Sequence, residues 1–148
     1  MLVIGSDHGG LSLKSILSDY LKERNIEVID AGTAGDASVD YPDFGLKVAE
    51  LVAAGKADSG ILVCGTGIGM SIAANKVPGI RAALVTDPFM ARMAKEHNNA
   101  NILVLGGRVL DDQQARELVA TWLDASFEGG RHQGRLDTIA EIEKKYAK

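Results

Sequence analysis

One cysteine, three histidines and a few polar residues beside glycines are the groups here that could move a proton or hold an anion. Cys64 ends the apolar run Ser59-Gly60-Ile61-Leu62-Val63 and is followed by Gly65-Thr66-Gly67-Ile68-Gly69. Alternating glycines let a backbone approach a ligand and aim N–H groups at an anion where a helix begins. A lone buried cysteine is otherwise a small apolar filler, so the thiol by itself leaves packing and chemistry both open. A cysteine-phosphatase loop needs an arginine six residues after its cysteine, and position 70 is Met. A thiol hydrolase would pair Cys64 as nucleophile with a histidine base. The remaining option is Cys64 as general base. A free thiol of pKa ~8.5 is scarcely ionised at neutral pH. An N–H-lined loop supplies the missing help, because it stabilises a thiolate and can hold an oxyanion formed by enolisation beside a carbonyl.

The other candidates also admit two readings each. Asp7 in Gly5-Ser6-Asp7-His8-Gly9-Gly10 can cap a helix beside a solvated His8, or it can orient His8 toward an anion or hydroxyl. That stretch lacks the spacing of a dinucleotide fingerprint, and acidic Asp7 stands where a pyrophosphate would lie, so a nucleotide-binding module is disfavoured. His97-Asn98 closes a helix, where a histidine often only answers the dipole. Arg131-His132-Gln133-Gly134-Arg135 reads as a basic turn, either solvated or a phosphate clamp with Arg108 as a third member.

The elements that must position these groups alternate regularly. Apolar runs at Leu2–Ser6, Glu27–Ala31, Ser59–Cys64, Arg81–Val85 and Ile102–Leu105 read as five strands. Helical spacing covers Leu11 to about Asn25, Pro42 to Gly55, Met70 to Lys76, Phe89 to Glu96 and Asp112 to about Ala125. The expected fold is a three-layer α/β/α Rossmann-like sandwich, a single domain over residues 1–148 around a five-stranded parallel sheet. In such sheets ligands sit outside the carboxyl ends of the strands, where Asp7, His8, Cys64, Thr66, Asp87 and Arg108 collect. A last Lys- and Glu-rich helix has only the thin seam Leu136, Ile139, Ile142 and Tyr146, and is expected to pack on a partner subunit.

The 148 residues carry a net charge of −4, which gives no polyanion-binding signature and makes nucleic acid an unexpected partner. No run approaches a membrane span, and Met1-Leu2-Val3-Ile4 enters a strand without a cleavable signal. A single cysteine allows neither a disulfide framework nor a Cys-x-x-Cys metal site. A cytoplasmic protein with a reduced thiol and no metal or cofactor is expected.

Together the segments Ser6-Asp7-His8-x-Gly10, Val28-Ile29-Asp30-x-Gly32-Thr33, Asp40-Tyr41-Pro42 and Cys64-Gly65-Thr66-Gly67-x-Gly69 resemble one family. Ile72-Ala73-Ala74-Asn75-Lys76, Gly79-Ile80-Arg81-Ala82, His97-Asn98-x-x-Asn101, Gly106-x-Arg108-Val109 and Glu128-Gly129-Gly130-Arg131-His132-x-x-Arg135 extend the match over almost the whole chain. The family is the ribose-5-phosphate isomerase B type of sugar-phosphate isomerase, which includes galactose-6-phosphate and allose-6-phosphate isomerases. The resemblance implies a metal-independent aldose–ketose isomerase working through a cis-enediolate. By that analogy Cys64 moves the proton between C1 and C2, and Thr66 with the N–H groups from Gly65 through Gly67 and Ile68 to Gly69 holds the enediolate oxygens. His97 would open the furanose ring, Asp7 and Asn98 would grip hydroxyls, and His8, Arg108, Arg131 and Arg135 would bind phosphate. In the family the two late arginines come from the neighbouring subunit, which implies a homodimer, or a dimer of such dimers, with active sites at the interface. One branch replaces the cysteine by Ser and uses a Glu a few residues on; apolar Ile68 occupies that position here, so this pattern points to Cys64. Ribose 5-phosphate is the expected substrate, in interconversion with ribulose 5-phosphate. Other sugar phosphates or a non-catalytic sensor are the alternatives, and the loop from Gly32 to Tyr41 is the expected determinant of sugar size.

Overall fold

The computed structural model describes residues 1–32 and 39–147. In chain order the elements are β1 (Leu2–Ser6), α1 (Leu11–Glu23), β2 (Val28–Asp30), α2 (Tyr41–Ala53), β3 (Ser59–Cys64) and α3 (Ile68–Ala74). They continue with β4 (Ala82–Leu84), α4 (Pro88–Glu96), β5 (Ile102–Gly106), α5 (Asp112–Asp124) and α6 (Arg131–Tyr146). The five strands form one parallel sheet in the order β2-β1-β3-β5-β4. The expected α/β class and strand count hold. Most of the loop expected to set sugar size, residues 33–38, lies outside the described residues.

Period-two alternation assigns each strand side chain to a layer. Ile61 and Val63 of β3, with Leu103 and Leu105 of β5, face a core filled by Leu17 and Leu21 of α1, Ala91 of α4 and Leu118 and Trp122 of α5. Leu62 and Cys64, with Ile102 and Val104, face the opposite core under Val48 and Val52 of α2 and Met70 and Ala74 of α3. The chain therefore leaves β1 and β5 toward one layer and β3 toward the other. This divergence opens a crevice at the carboxyl end of the central strand.

The edge strands are shorter than the apolar runs that announce them. Arg81 lies outside β4, because its N–H donates to the Asn101 side chain at 2.8 Å and its Nε–H to the Asn99 carbonyl at 2.9 Å. On the open side of β4 the Asn75 side-chain amide accepts from Ala82 N–H at 2.8 Å and donates to Ala82 C=O at 3.0 Å, taking the place of a further strand.

The basic segment 131–135 is helical and not a turn: α6 starts at Arg131. His132 and Leu136, one helical turn apart, are its buried side and dock on the chain's own surface, which is why the segment continues as helix. Glu143 adds a tether, accepting from Gly79 N–H at 3.1 Å. The rest of the seam, Ile139, Ile142 and Tyr146, stays exposed.

Candidate active site

The carboxyl-end crevice is built mainly from backbone. Three loops meet there, after β1, β3 and β5. Gly107 N–H donates to Cys64 C=O at 2.7 Å and Arg108 N–H to Gly65 C=O at 2.9 Å, which ties the β5 loop to the β3 loop. The Asp7 carboxylate accepts from Gly9 N–H at 2.9 Å and Gly10 N–H at 3.2 Å, fixing the first loop as a single 3-10 turn. Glycine at position 10 is required by space, since a Cβ there would stand 2.5 Å from Val63 C=O. Asp7 is thus a buried cap and also a wall of the crevice.

Cys64 is buried, and its Sγ accepts from Gly67 N–H at 3.1 Å. Gly67 has φ +87°, a left-handed conformation that turns the chain straight into α3 and aims its N–H back at the sulfur. Thr66 is exposed, with Oγ1 accepting from Ile68 N–H at 3.2 Å. The Tyr41 ring lies on Gly69, where a Cβ would come within 2.6 Å of Tyr41 Cζ. Arg108 crosses the glycines: a Cβ on Gly65 would be 3.5 Å from its Cδ and Nη1, and one on Gly9 would be 3.6 Å from its Nη2. His8 Nδ1 accepts from Val39 N–H at 3.1 Å, which leaves the proton of the neutral ring on Nε2, facing away from that bond. Asp87, the other acid at this edge, only caps α4, accepting from Met90 N–H at 2.8 Å.

His97, Asn98, Arg131 and Arg135 lie elsewhere. His97 is the carboxyl cap of α4, and four residues later the Asn101 carbonyl accepts from Gly60 N–H at the start of β3. In register, Gly60 pairs with Ile102 and Cys64 with Gly106, four residue steps away. At about 3.3 Å per residue the two ends are roughly 13 Å apart along the strands. The candidate residues are therefore split between opposite edges of one sheet.

The amino-edge group has its own geometry. The His97 and His132 rings stack with centroids 4.2 Å apart and planes 16° from parallel. His97 Nε2 lies 3.4 Å from Glu128 Oε1. Burial first, then the charges of His97 and Arg131, holds the His132 pKa below the ordinary histidine value. Arg131 and Arg135 lie one helical turn apart, exposed, and neither side chain has a hydrogen bond or ion pair among the described residues. Asn98 faces a cavity of about 330 Å³ lined by Leu84, Met90 and Met93.

His97, Glu128 and His132 are the described residues whose ligand atoms approach closely enough, within 4.8 Å, to suggest a metal. Their arrangement disfavours it, because lone pairs in two nearly parallel imidazole planes cannot converge on one ion. Sequence reasoning had not singled out Glu128, His132 or Tyr41 individually. A residue between a helix and the next parallel strand lies at the strands' amino ends, and this chain-order signal separates His97 and Asn98 from Cys64.

Comparisons with known proteins give the family. The Ribose/Galactose Isomerase family profile matches residues 2–139, and the chain belongs to that family. It is 62% identical to ribose-5-phosphate isomerase B of Clostridium thermocellum, with a TM-score of 0.98 over 99% of both chains. It is 47% identical to the Mycoplasma genitalium enzyme solved with bound ribulose-5-phosphate, with a TM-score of 0.93 over 97% of this chain and 96% of that one. Ribose-5-phosphate isomerase B of Escherichia coli strain K12 is 46% identical over 97% of each chain. Among the described residues no helix is long and apolar enough to cross a membrane.

Proposed function

We propose that the chain interconverts ribose 5-phosphate and ribulose 5-phosphate, with Cys64 as the base. Cys64 Sγ takes the proton from C2 of the open aldose and returns it to C1. The hydroxyl proton at O2 passes to O1, so atoms balance with no cofactor in the step. Negative charge developing on O1 and O2 meets the Thr66 hydroxyl and those N–H groups of the loop from Gly65 to Gly69 that Cys64 Sγ and Thr66 Oγ1 do not already hold. These are preorganised donors of the kind that stabilise an enediolate. Asp7 serves sugar hydroxyls, and His8 and Arg108 lie on the same edge, where they can bind the phosphate.

The observation that carries this reading is the 3.1 Å donation from Gly67 N–H to Cys64 Sγ inside a loop of glycines. The split of the candidate residues adds a requirement. His97, Asn98, Arg131 and Arg135 serve the site of a second copy, whose own cluster returns the favour, as a two-fold interface demands. Unpartnered arginines and the exposed Ile68, Ile72, Phe89, Ile139 and Ile142 support a homodimer of this form. In this reading His97 and Asn98 cross together with the two arginines, because they share their edge.

A panel of tetrose, pentose and hexose phosphates tests the assignment. Turnover should be fastest with ribose 5-phosphate. Saturable binding of pentose phosphate with no isomerisation would make the protein a sensor, and preference for a hexose phosphate would move the substrate.

A further inference from the structure

The turn beside His97, residues 128–130, has no part in the chemistry described above, yet its geometry is specific. Glu128 N–H donates to the Glu96 carbonyl at 3.0 Å, fixing residue 128 against the last turn of α4. Gly129 at φ +70° and Gly130 at φ +55° then reverse the chain. A Cβ at either glycine would meet nothing within 4 Å, so these positions are set by conformation and not by space. The reversal leaves the Glu128 carboxylate at the edge of the His97 ring and His132 on its face.

Stability does not account for that carboxylate. It stands between the carboxyl end of α4 and the start of α6, where the two helix dipoles oppose each other. It is half exposed, where an ion pair contributes little. We propose that Glu128 is a positioning residue for ring opening: it orients the His97 imidazole in its plane and holds the Nε2–H tautomer. The proposal rests on the isomerase reading under Proposed function and on the ring-opening role that the family resemblance implies for His97. With Nε2–H turned to Glu128, Nδ1 carries the free lone pair. That nitrogen takes the proton of the C1 hydroxyl. The bond from C1 to the ring oxygen breaks with its electron pair going to oxygen, C1=O1 forms, and the proton passes from Nδ1 to the ring oxygen. Glu128 faces the transient imidazolium, and the stack on His132 fixes the tilt of the ring.

The two directions of the reaction separate this role from a merely structural one. Ribose 5-phosphate is mostly a furanose, whereas ribulose 5-phosphate has its C5 hydroxyl esterified and stays open. In the full-length protein, Glu128→Gln keeps the size but offers His97 either end of an amide, so the tautomer is no longer dictated. Turnover from ribose 5-phosphate should fall roughly tenfold, a share of the ~10²–10⁴ that positioned acid–base groups contribute. Turnover from ribulose 5-phosphate should stay within about twofold, and Glu128→Asp should recover part of the forward rate. Nitrogen-15 NMR of the imidazoles should show His97 as the Nε2–H tautomer in the parent and as a mixture in Glu128→Gln. Equal losses in both directions, an unchanged forward rate or an unchanged tautomer would overturn the proposal. His97→Asn provides the reference: if it lowers the forward rate and Glu128→Gln does not, only the role of Glu128 fails. Absence of isomerisation in the parent protein would sink the functional reading and this one with it.

Discussion

The two ends of the sheet solve different problems. At the carboxyl end, atoms are placed by backbone with no room to spare: a Cβ would stand 2.5 Å from Val63 C=O at Gly10, 2.5 Å from Leu84 Cδ1 at Gly67 and 2.6 Å from Thr66 C=O at Gly106. At the amino end, Gly129 and Gly130 have open space around them, and the useful groups are side chains on a helix start. A cradle for small oxyanions needs donors fixed to fractions of an ångström, which a backbone shared by three strand-end loops supplies. Groups that reach into another molecule need exposure and free hydrogen-bonding capacity, which Arg131 and Arg135 retain.

The sharpest way to break this contrast is to disable one end in each of two proteins. Cys64→Ala should lose ~10²–10⁴-fold in turnover while still binding the phosphate ester. His97→Ala should also be impaired on ribose 5-phosphate. Co-folded in equal amounts, the two variants should recover about a quarter of the parental sites, because half of a random mixture is heterodimer and each heterodimer restores one site of two. No recovery in the mixture would mean that each chain uses both of its own ends.

Stability offers a second discrimination. Gly67→Ala should cost about 2–4 kcal/mol, combining a left-handed alanine with overpacking against Leu84. Gly129→Ala should cost only about 1–2 kcal/mol, since conformation alone opposes it. Denaturant unfolding of both variants reads the difference, and equal losses would contradict the contrast in packing. The smallest expected effect is on binding. Arg131→Ala should raise the KM for ribose 5-phosphate about tenfold with kcat little changed, the loss of one charge-assisted bond. An unchanged KM would remove Arg131 from the phosphate clamp.

Much of this was legible in the residues. Strand and helix alternation announced the parallel sheet. The spacing of glycines after Cys64 announced a loop of aimed N–H groups, and Asp7 was readable as a cap. Other features depend on tertiary packing that spacing does not encode. The exchange of β4 and β5 in sheet order leaves no local mark, because crossovers to the next position or the one beyond use similar helices. Segment 131–135 looked like a turn because Gly134 and two arginines hide the His132–Leu136 repeat that docks it. The Tyr41 ring on Gly69 joins residues far apart in the chain. The edge on which His97 lies was available from chain order alone.

The amide of Asn75 has a consequence for the protein in a crowded solution. An open parallel sheet ends in strands whose unsatisfied peptide groups invite other chains to add on, the route by which sheets grow into aggregates. Asn75 occupies both the N–H and the C=O of Ala82, so that growth point on β4 is sealed by one side chain. Replacing it with leucine should therefore be felt first as lost solubility.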